Sequence, residues 1–255
     1  LTKLASEKNL YGAVEFHKRW DRHNLMLKDL FQKGEFGKPL YTWTEYSQRK
    51  SIPSKVFISW VEKSNILQYL GVHYIDIIRF ITRASPKRVM AIGQRKWLKG
   101  QSLNVDDAIQ CMIEWEMDNG DLFTQTLLTN WIDPENTSAM SDQKIKFVGT
   151  KGRFDNNQKN RGISFIIGEN SLETPNPDFS HSYRTMNGQL SWQGYGIESI
   201  ITFLKDSQEV INNKKIPTDF EKIRPTFKEA LISTATIDAA SKSIKNNNIW
   251  IKVKH

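Results

Sequence analysis

Residues 64–83 read Ser-Asn-Ile-Leu-Gln-Tyr-Leu-Gly-Val-His-Tyr-Ile-Asp-Ile-Ile-Arg-Phe-Ile-Thr-Arg, and no other stretch limits the fold as much. Ile66, Leu70, Ile77 and Ile81 recur at helical spacing, with Leu67, Tyr74 and Ile78 beside them. Ser64 or Asn65 supplies an N-cap. A stripe this apolar must be covered by another layer, so the helix predicts a partner surface. A second line, Tyr69, His73, Asp76 and Phe80, carries an imidazole and a carboxylate next to the greasy face. A structural histidine needs one satisfied hydrogen bond, whereas a catalytic one needs a pKa near working pH and an open side. The sequence allows both for His73. Asp76 either holds His73 from i+3 or pairs with Arg79 or Arg83.

The partner surface is a sheet. Around residues 107–117 and 121–131, Ile109, Cys111, Ile113 and Trp115 alternate with polar neighbours, and Asn119-Gly120 between the runs predicts a two-residue hairpin turn. Residues 40–46, 88–94 and 144–148 read as further strands, the last turning at Gly149-Thr150-Lys151-Gly152. Residues 163–167 and 172–174 pair across 168–170, 250–253 form a last strand, and 175–196 make a long functional loop. Asp21 caps a helix ending at Gly34. Helices at 197–212 and 226–245 turn inward Ile197, Ile200, Ile201, Leu204 and Ile211, and Phe227, Ala230, Leu231, Thr234, Ile237 and Ala240. Ahead of them, 1–8 reads as the tail of a helix and 10–16 as a short buried strand, the end of an α/β unit. The chain begins at Leu1, which suggests a fragment of something longer.

At 255 residues with 38% hydrophobic content, eight Trp and thirteen Phe, the chain supports a large core. The net charge of +8 is dispersed among 28 acids, which argues against a nucleic-acid partner. Cys111 alone excludes a disulfide framework, and no apolar run reaches the roughly 20 residues of a membrane helix. The expectation is a cytoplasmic protein with no membrane partner. The Gly149–Gly152 segment lacks the spacing of a phosphate-binding loop or a dinucleotide fingerprint, and zinc and serine-hydrolase motifs are missing, so no metal is expected. Trp192 and Tyr195, flanked by glycines, either wall a polar-ligand pocket or pin their loop to the core. Arg19 meets an anionic group or sits at the surface.

The order of Tyr11–Trp20, Gly34-Glu-Phe-Gly37-Lys-Pro39, Gly71-Val-His73-Tyr-Ile-Asp76, Phe147-Val-Gly149-Thr-Lys-Gly152, Gly194-Tyr-Gly196 and Glu229-Ala230 through Ser241 resembles the Gfo/Idh/MocA oxidoreductases over essentially the whole chain. That family joins a nucleotide-binding Rossmann domain to an α/β domain on an open antiparallel sheet, and moves a hydride between NAD or NADP and a sugar, cyclitol or related alcohol. The resemblance implies an α+β fold with an open, mostly antiparallel sheet and helices on one face. Residues 1–20 would be the remnant of the nucleotide domain and 21–255 the substrate-binding and oligomerisation domain, with roughly a hundred residues missing. NAD or NADP would belong to the intact enzyme, and none is expected on this chain alone.

Two departures stand out. The family's Glu-Lys-Pro is absent; Glu7-Lys8-Asn9 mimics it but lies too late in the chain. The aspartate often found four residues before the histidine is Tyr69 here, preceded by Gln68. The resemblance therefore makes His73 the proton relay with Tyr69 as its catalytic companion, while Gln68, Asp76, Arg19, Trp192 and Tyr195 bind substrate; cofactor-binding residues are unknown. Trp115, Phe123, Leu127 and Trp131 are expected to form an apolar patch on the open sheet face and to drive homo-oligomerisation. The alternative is a non-catalytic binding or assembly module that keeps the fold.

Overall fold

The computed structural model describes residues 1–254. Its helices are α1 (Thr2–Glu7), α2 (Arg22–Gln32), α3 (Val72–Thr82), α4 (Trp97–Gly100), α5 (Tyr195–Ile211) and α6 (Phe227–Lys245). The strands are β1 (Pro39–Arg49), β2 (Ser85–Gln94), β3 (Ala108–Glu116), β4 (Leu122–Asp133), β5 (Ser141–Gly149), β6 (Arg153–Asn157), β7 (His181–Arg184), β8 (Leu190–Gln193) and β9 (Ile251–Lys252). Seven strands form one sheet in the order β6-β5-β1-β4-β3-β2-β9, and β7 pairs with β8. Only β1 and β4 run parallel; the other pairs in the large sheet are antiparallel. This is the open, mostly antiparallel α+β layer expected.

The sheet's inner face and α3 make the core. Ile113, Trp115, Phe123, Leu127 and Phe147 lie under Leu67, Leu70, Tyr74, Ile77, Ile78 and Ile81, all buried in one cluster. The alternation of β3 and β4 puts every second side chain on that face. Trp115, Phe123, Leu127 and Trp131 are thus interior, each 2% exposed or less, and do not form the open-face patch expected of them. The uncovered face instead carries Tyr41, Trp43, Met112 and paired charges such as Glu45 with Lys144.

Other expectations change on the same physical grounds. Residues 10–16 are no buried strand: Ala13 makes a single bridge to Thr226 and Leu10 is largely exposed, because no neighbouring strand is there to pair with. The 117–121 turn has three residues in its loop, with Gly120 alone at positive φ and Gly120 N–H donating to Met117 O, the type I turn plus bulge rather than the two-residue form. Phe165 and Glu173 are the one bridged pair between 163–167 and 172–174. The 175–196 loop contains the β7–β8 hairpin. On α5, Ile200, Ile201, Leu204 and Ile211 face outward, and on α6 so does Leu231. Thr234 is exposed as well. The α5 helix packs on the 17–20 turn rather than on the sheet, which leaves its apolar stripe uncovered.

Asp107 organises the rim of the sheet. Its carboxylate accepts the backbone N–H groups of Lys96, Trp97 and Leu98 at 2.5, 2.7 and 2.8 Å, satisfying the first turn of α4. Replacing Asp107 with Ala should cost about 1–3 kcal/mol by stranding the buried Leu98 donor, read as a lower urea midpoint. Asp107→Asn, which keeps an acceptor oxygen, should recover part of that loss.

Candidate functional site

Asn65 begins the local order. Its side-chain oxygen accepts Gln68 N–H at 2.8 Å, as an N-cap does, while Ser64 instead donates to the Gln68 side chain. The expected single helix is split: residues Leu67–Gly71 make a π-helical turn before α3. Gly71 explains the wider turn's close fit, because a Cβ there would meet Leu67 Cδ1 at 2.4 Å and Leu127 Cδ2 at 3.4 Å. One inserted residue re-aims the side chains that follow, a device that recurs at functional sites. His73 therefore leaves the first turn of α3 on a different side from Tyr69.

His73 faces the short helical turn His17–Trp20. Its ring centre lies 5.0 Å from His17, 5.8 Å from Phe16 and 6.3 Å from Tyr46. Its Nδ1 is buried and makes no hydrogen bond among the described residues. Burial, helped by His17 and Lys18, holds its pKa well below the ordinary 6.5, so the ring is neutral at pH 7 and offers one lone pair. His17 in turn stacks on Tyr195 at 5.7 Å and touches Phe179 at 5.1 Å. Glu15 anchors His17 Nδ1 at 3.4 Å and accepts Ser199 Oγ–H at 2.6 Å. Burial works to raise the Glu15 pKa, but its hydrogen bonds to His17 and Ser199 win and hold it below the usual carboxylate range.

Beneath the two histidines lies Lys18, 1% exposed. Its Nζ donates to the Gln143 and Gln158 side-chain oxygens and sits 4.9 Å from the Tyr46 ring centre and 5.4 Å from that of Tyr74. Burial pulls this lysine down to about 7, against the pull of Asp21. Arg161 closes the other side. It donates to Asp21 at 2.6 Å and to Asp178 at 3.1 Å, tying the segment that carries Phe179 and Tyr195 onto the start of α2.

The remaining predicted residues scatter. Arg19 and Asp76 pair with each other through a two-bond fork of 2.6 and 2.8 Å, at 2% and 1% exposure, so they are spent on each other rather than on the space beside His73, and Asp76 does not hold His73. Burial pushes the Asp76 carboxyl up, and Arg19 offsets only part of that. Tyr69 packs among Phe57, Trp60 and Trp131. Gln68 lines a separate groove of about 850 Å³ between the start of α3 and α6. Trp192 stands exposed on the β7–β8 hairpin, whereas Tyr195 is buried at the start of α5 with its hydroxyl accepting from Asn176 at 3.2 Å. Burial, with Asp21 adding, pushes Tyr195 up to about 12.

Sequence reasoning missed His17, Lys18, Phe179 and Gln158. The signal is present in the run His17-Lys18-Arg19-Trp20, of which only Arg19 stands out as a candidate by sequence. Among the described residues no cluster of His, Cys, Asp or Glu is placed to hold a metal ion.

The sequence model of the GFO/IDH/MocA C-terminal domain matches residues 24–155, half of the chain. The chain belongs to this family. Among solved structures it is similar to a putative myo-inositol dehydrogenase from Sinorhizobium meliloti 1021, with a TM-score of 0.69 at 16% identity, covering 99% of this chain and 68% of that one. It is also similar to scyllo-inositol dehydrogenase from Lactobacillus casei with bound NAD(H) and scyllo-inositol, at TM-score 0.65, 15% identity, and 98% and 67% coverage. Myo-inositol 2-dehydrogenase from Lactobacillus plantarum gives 0.61, 15%, 98% and 67%. At these identities the likeness is one of fold, and this Gfo/Idh/MocA chain spans about two thirds of the length of each. No curated protein matches it.

The family domain offers no dinucleotide cradle at its Gly149–Gly152 turn. Gly149 N–H donates to Gly152 O, Thr150 N–H to Lys38 O and Lys151 N–H to Phe36 O, so three donors that would face a phosphate are already occupied.

The buried lysine sets a pH signature. A folded pKa near 7 against an ordinary 10.5 means the unfolded chain binds more protons between those values. Stability should therefore rise with pH from about 7 to about 10. In Lys18→Met that rise should flatten, which urea midpoints across the range would show.

Proposed function

We propose that this chain is the substrate-side part of an oxidoreductase that acts on a hydroxyl of a cyclitol or sugar, with NAD or NADP held by residues outside it. Its family and the inositol dehydrogenases it resembles in fold support the substrate class. The observation that carries the reading is His73: a neutral imidazole with an unpartnered nitrogen, walled by Phe16, His17 and Tyr46.

The chain's own residues do the proton side of the work. His73 accepts the hydroxyl proton as the alcohol becomes a carbonyl, and returns it in reverse. His17, fixed by Glu15 and Ser199, holds the opposite wall, and Tyr195 backs His17. Tyr69 and Gln68 play no part in this proton step; Gln68 faces the neighbouring groove. Homo-oligomerisation through the open sheet face would run through Tyr41, Trp43 and Met112 rather than through the interior Trp115, Phe123, Leu127 and Trp131.

In protein that includes a nucleotide domain, His73→Ala should lower turnover of inositol roughly 10²-fold. Wild-type turnover in that variant would end the assignment. Because burial keeps His73 deprotonated well below 6.5, the base-dependent rate should stay level from pH 8 down through about pH 6.5 and fall only in more acid solution. A rate that titrates at or above 6.5 would count against His73 as the base.

A second reading is a binding or assembly module without catalysis. The depth of His73 behind Phe16 and His17 favours it. Calorimetric binding of scyllo-inositol without turnover by the longer protein would support that reading over the first.

A further inference from the structure

A second cluster lies past the ion pair, where α2, α3 and α6 meet, and it is independent of the reaction above. It holds Arg19, Lys28, Arg79 and Arg83 against the carboxylates of Asp76 and Glu229, with Asp118 acting on Arg83 from the hairpin turn. Arg19 gives one edge of its planar guanidinium, Nε and Nη2, to Asp76. The opposite edge, Nη1, is buried and has no acceptor among the described residues. Arg79 places Nη1 on the Arg83 and Ala84 carbonyls and Nη2 at 3.5 Å from Glu229, and its buried Nε has no acceptor either. Arg83 stands 3.7 Å from the other Glu229 oxygen, a gap that a small movement closes. Lys28 makes no ion pair among the described residues; its Nζ sits 3.8 Å over the Phe80 ring centre, the same ring that lies 5.1 Å from Arg19 Cζ.

Buried polar groups are nearly always hydrogen-bonded, so three orphaned guanidinium donors, Arg19 Nη1, Arg79 Nε and Arg83 Nη1, beside a lysine without a counterion are a deficit with a definite sign. Among the described residues Glu229 Oε2 is the one unpartnered acceptor there, 3.7 Å from Arg83 Nη1, so it answers at most one of the three donors, and four cations face the carboxylates of Asp76 and Glu229. Lys28 registers the same excess: burial, then Arg83 and Arg19, draw it down to about 8. Arg83 is 31% exposed and Lys28 half-buried, so the cluster is reachable from solvent.

We propose that this cluster is a binding site for a small oxyanion, a phosphate or carboxylate group, taken up between Arg19, Lys28, Arg79 and Arg83. Oxygen acceptors match the geometry of guanidinium edges, and the ammonium of Lys28 adds a point charge at the mouth. The carboxylate and phosphate sources share this chemistry and are separated by the test.

The test is thermal unfolding of this chain at pH 7 in rising inorganic phosphate or acetate, with chloride as the control at matched ionic strength. Phosphate, acetate or both should raise the midpoint saturably where chloride does not, as a ligand of the native state must. The anion with the lower half-saturation concentration identifies the source. Lys28→Gln should raise that concentration about tenfold, and Lys28→Arg should restore it. Arg83→Gln, at a partly exposed position, repeats the measurement should Lys28→Gln fold poorly. Equal responses to all three salts, a rise in phosphate or acetate that stays linear without saturating, or equal responses of wild type and both glutamine variants, would overturn the proposal.

Discussion

The fork between Arg19 and Asp76 fixes how the molecule is put together. One partner lies just before α2, the other in the middle of α3, and both are out of solvent. Removing either would leave an uncompensated charge in a low-dielectric interior, whereas together they hold the 17–20 turn against α3 in one register. His17 stands two residues before Arg19 and His73 three before Asp76, so the same fork sets the two imidazoles 5.0 Å apart. The site is thus a consequence of an ion pair that takes no part in it.

Low dielectric also accounts for the site's chemistry. His73, Lys18 and Tyr195 are all shifted toward their neutral forms, and burial is the largest cause for each. Groups shifted this way, inside an aromatic shell, suit a ligand whose own groups are hydroxyls rather than charges. The net charge of +8 does not reach this shell; part of it collects at the far side of α3, where Arg19, Lys28, Arg79 and Arg83 outnumber their carboxylates.

Much of the fold was legible because local pattern and burial agree. Alternation at 107–131 and 144–148 marks strands with one covered face, and Asp21 and Thr226 cap helices as Asp and Thr do elsewhere. The errors cluster where periodicity is blind to what lies opposite. Periodicity turns the stripe of α5 inward because apolar residues need cover, yet α5 rests on the 17–20 turn through Tyr195, Gly196 and Ser199 and leaves Ile200 and Leu204 outside. Residues 10–16 had strand composition but no strand beside them. Trp115, Phe123, Leu127 and Trp131 had the right spacing for one face of a sheet, and alternation does not say which face the helices cover.

The candidate site divides in the same way. By itself the sequence determined that the stretch around His73 is helical with an apolar stripe, that this stripe needs a sheet, and that His73 lies beside it, since helical spacing is a property of the local backbone. Tertiary structure alone decided that Asp76 belongs to Arg19, that His17 faces His73 with Tyr195 stacked behind it while Tyr69 and Trp192 lie elsewhere, and that a lysine lies beneath. Those choices depend on the π-helical turn that rotates α3 after Tyr69, and on contacts between residues more than fifty positions apart, whose pairing no local period records.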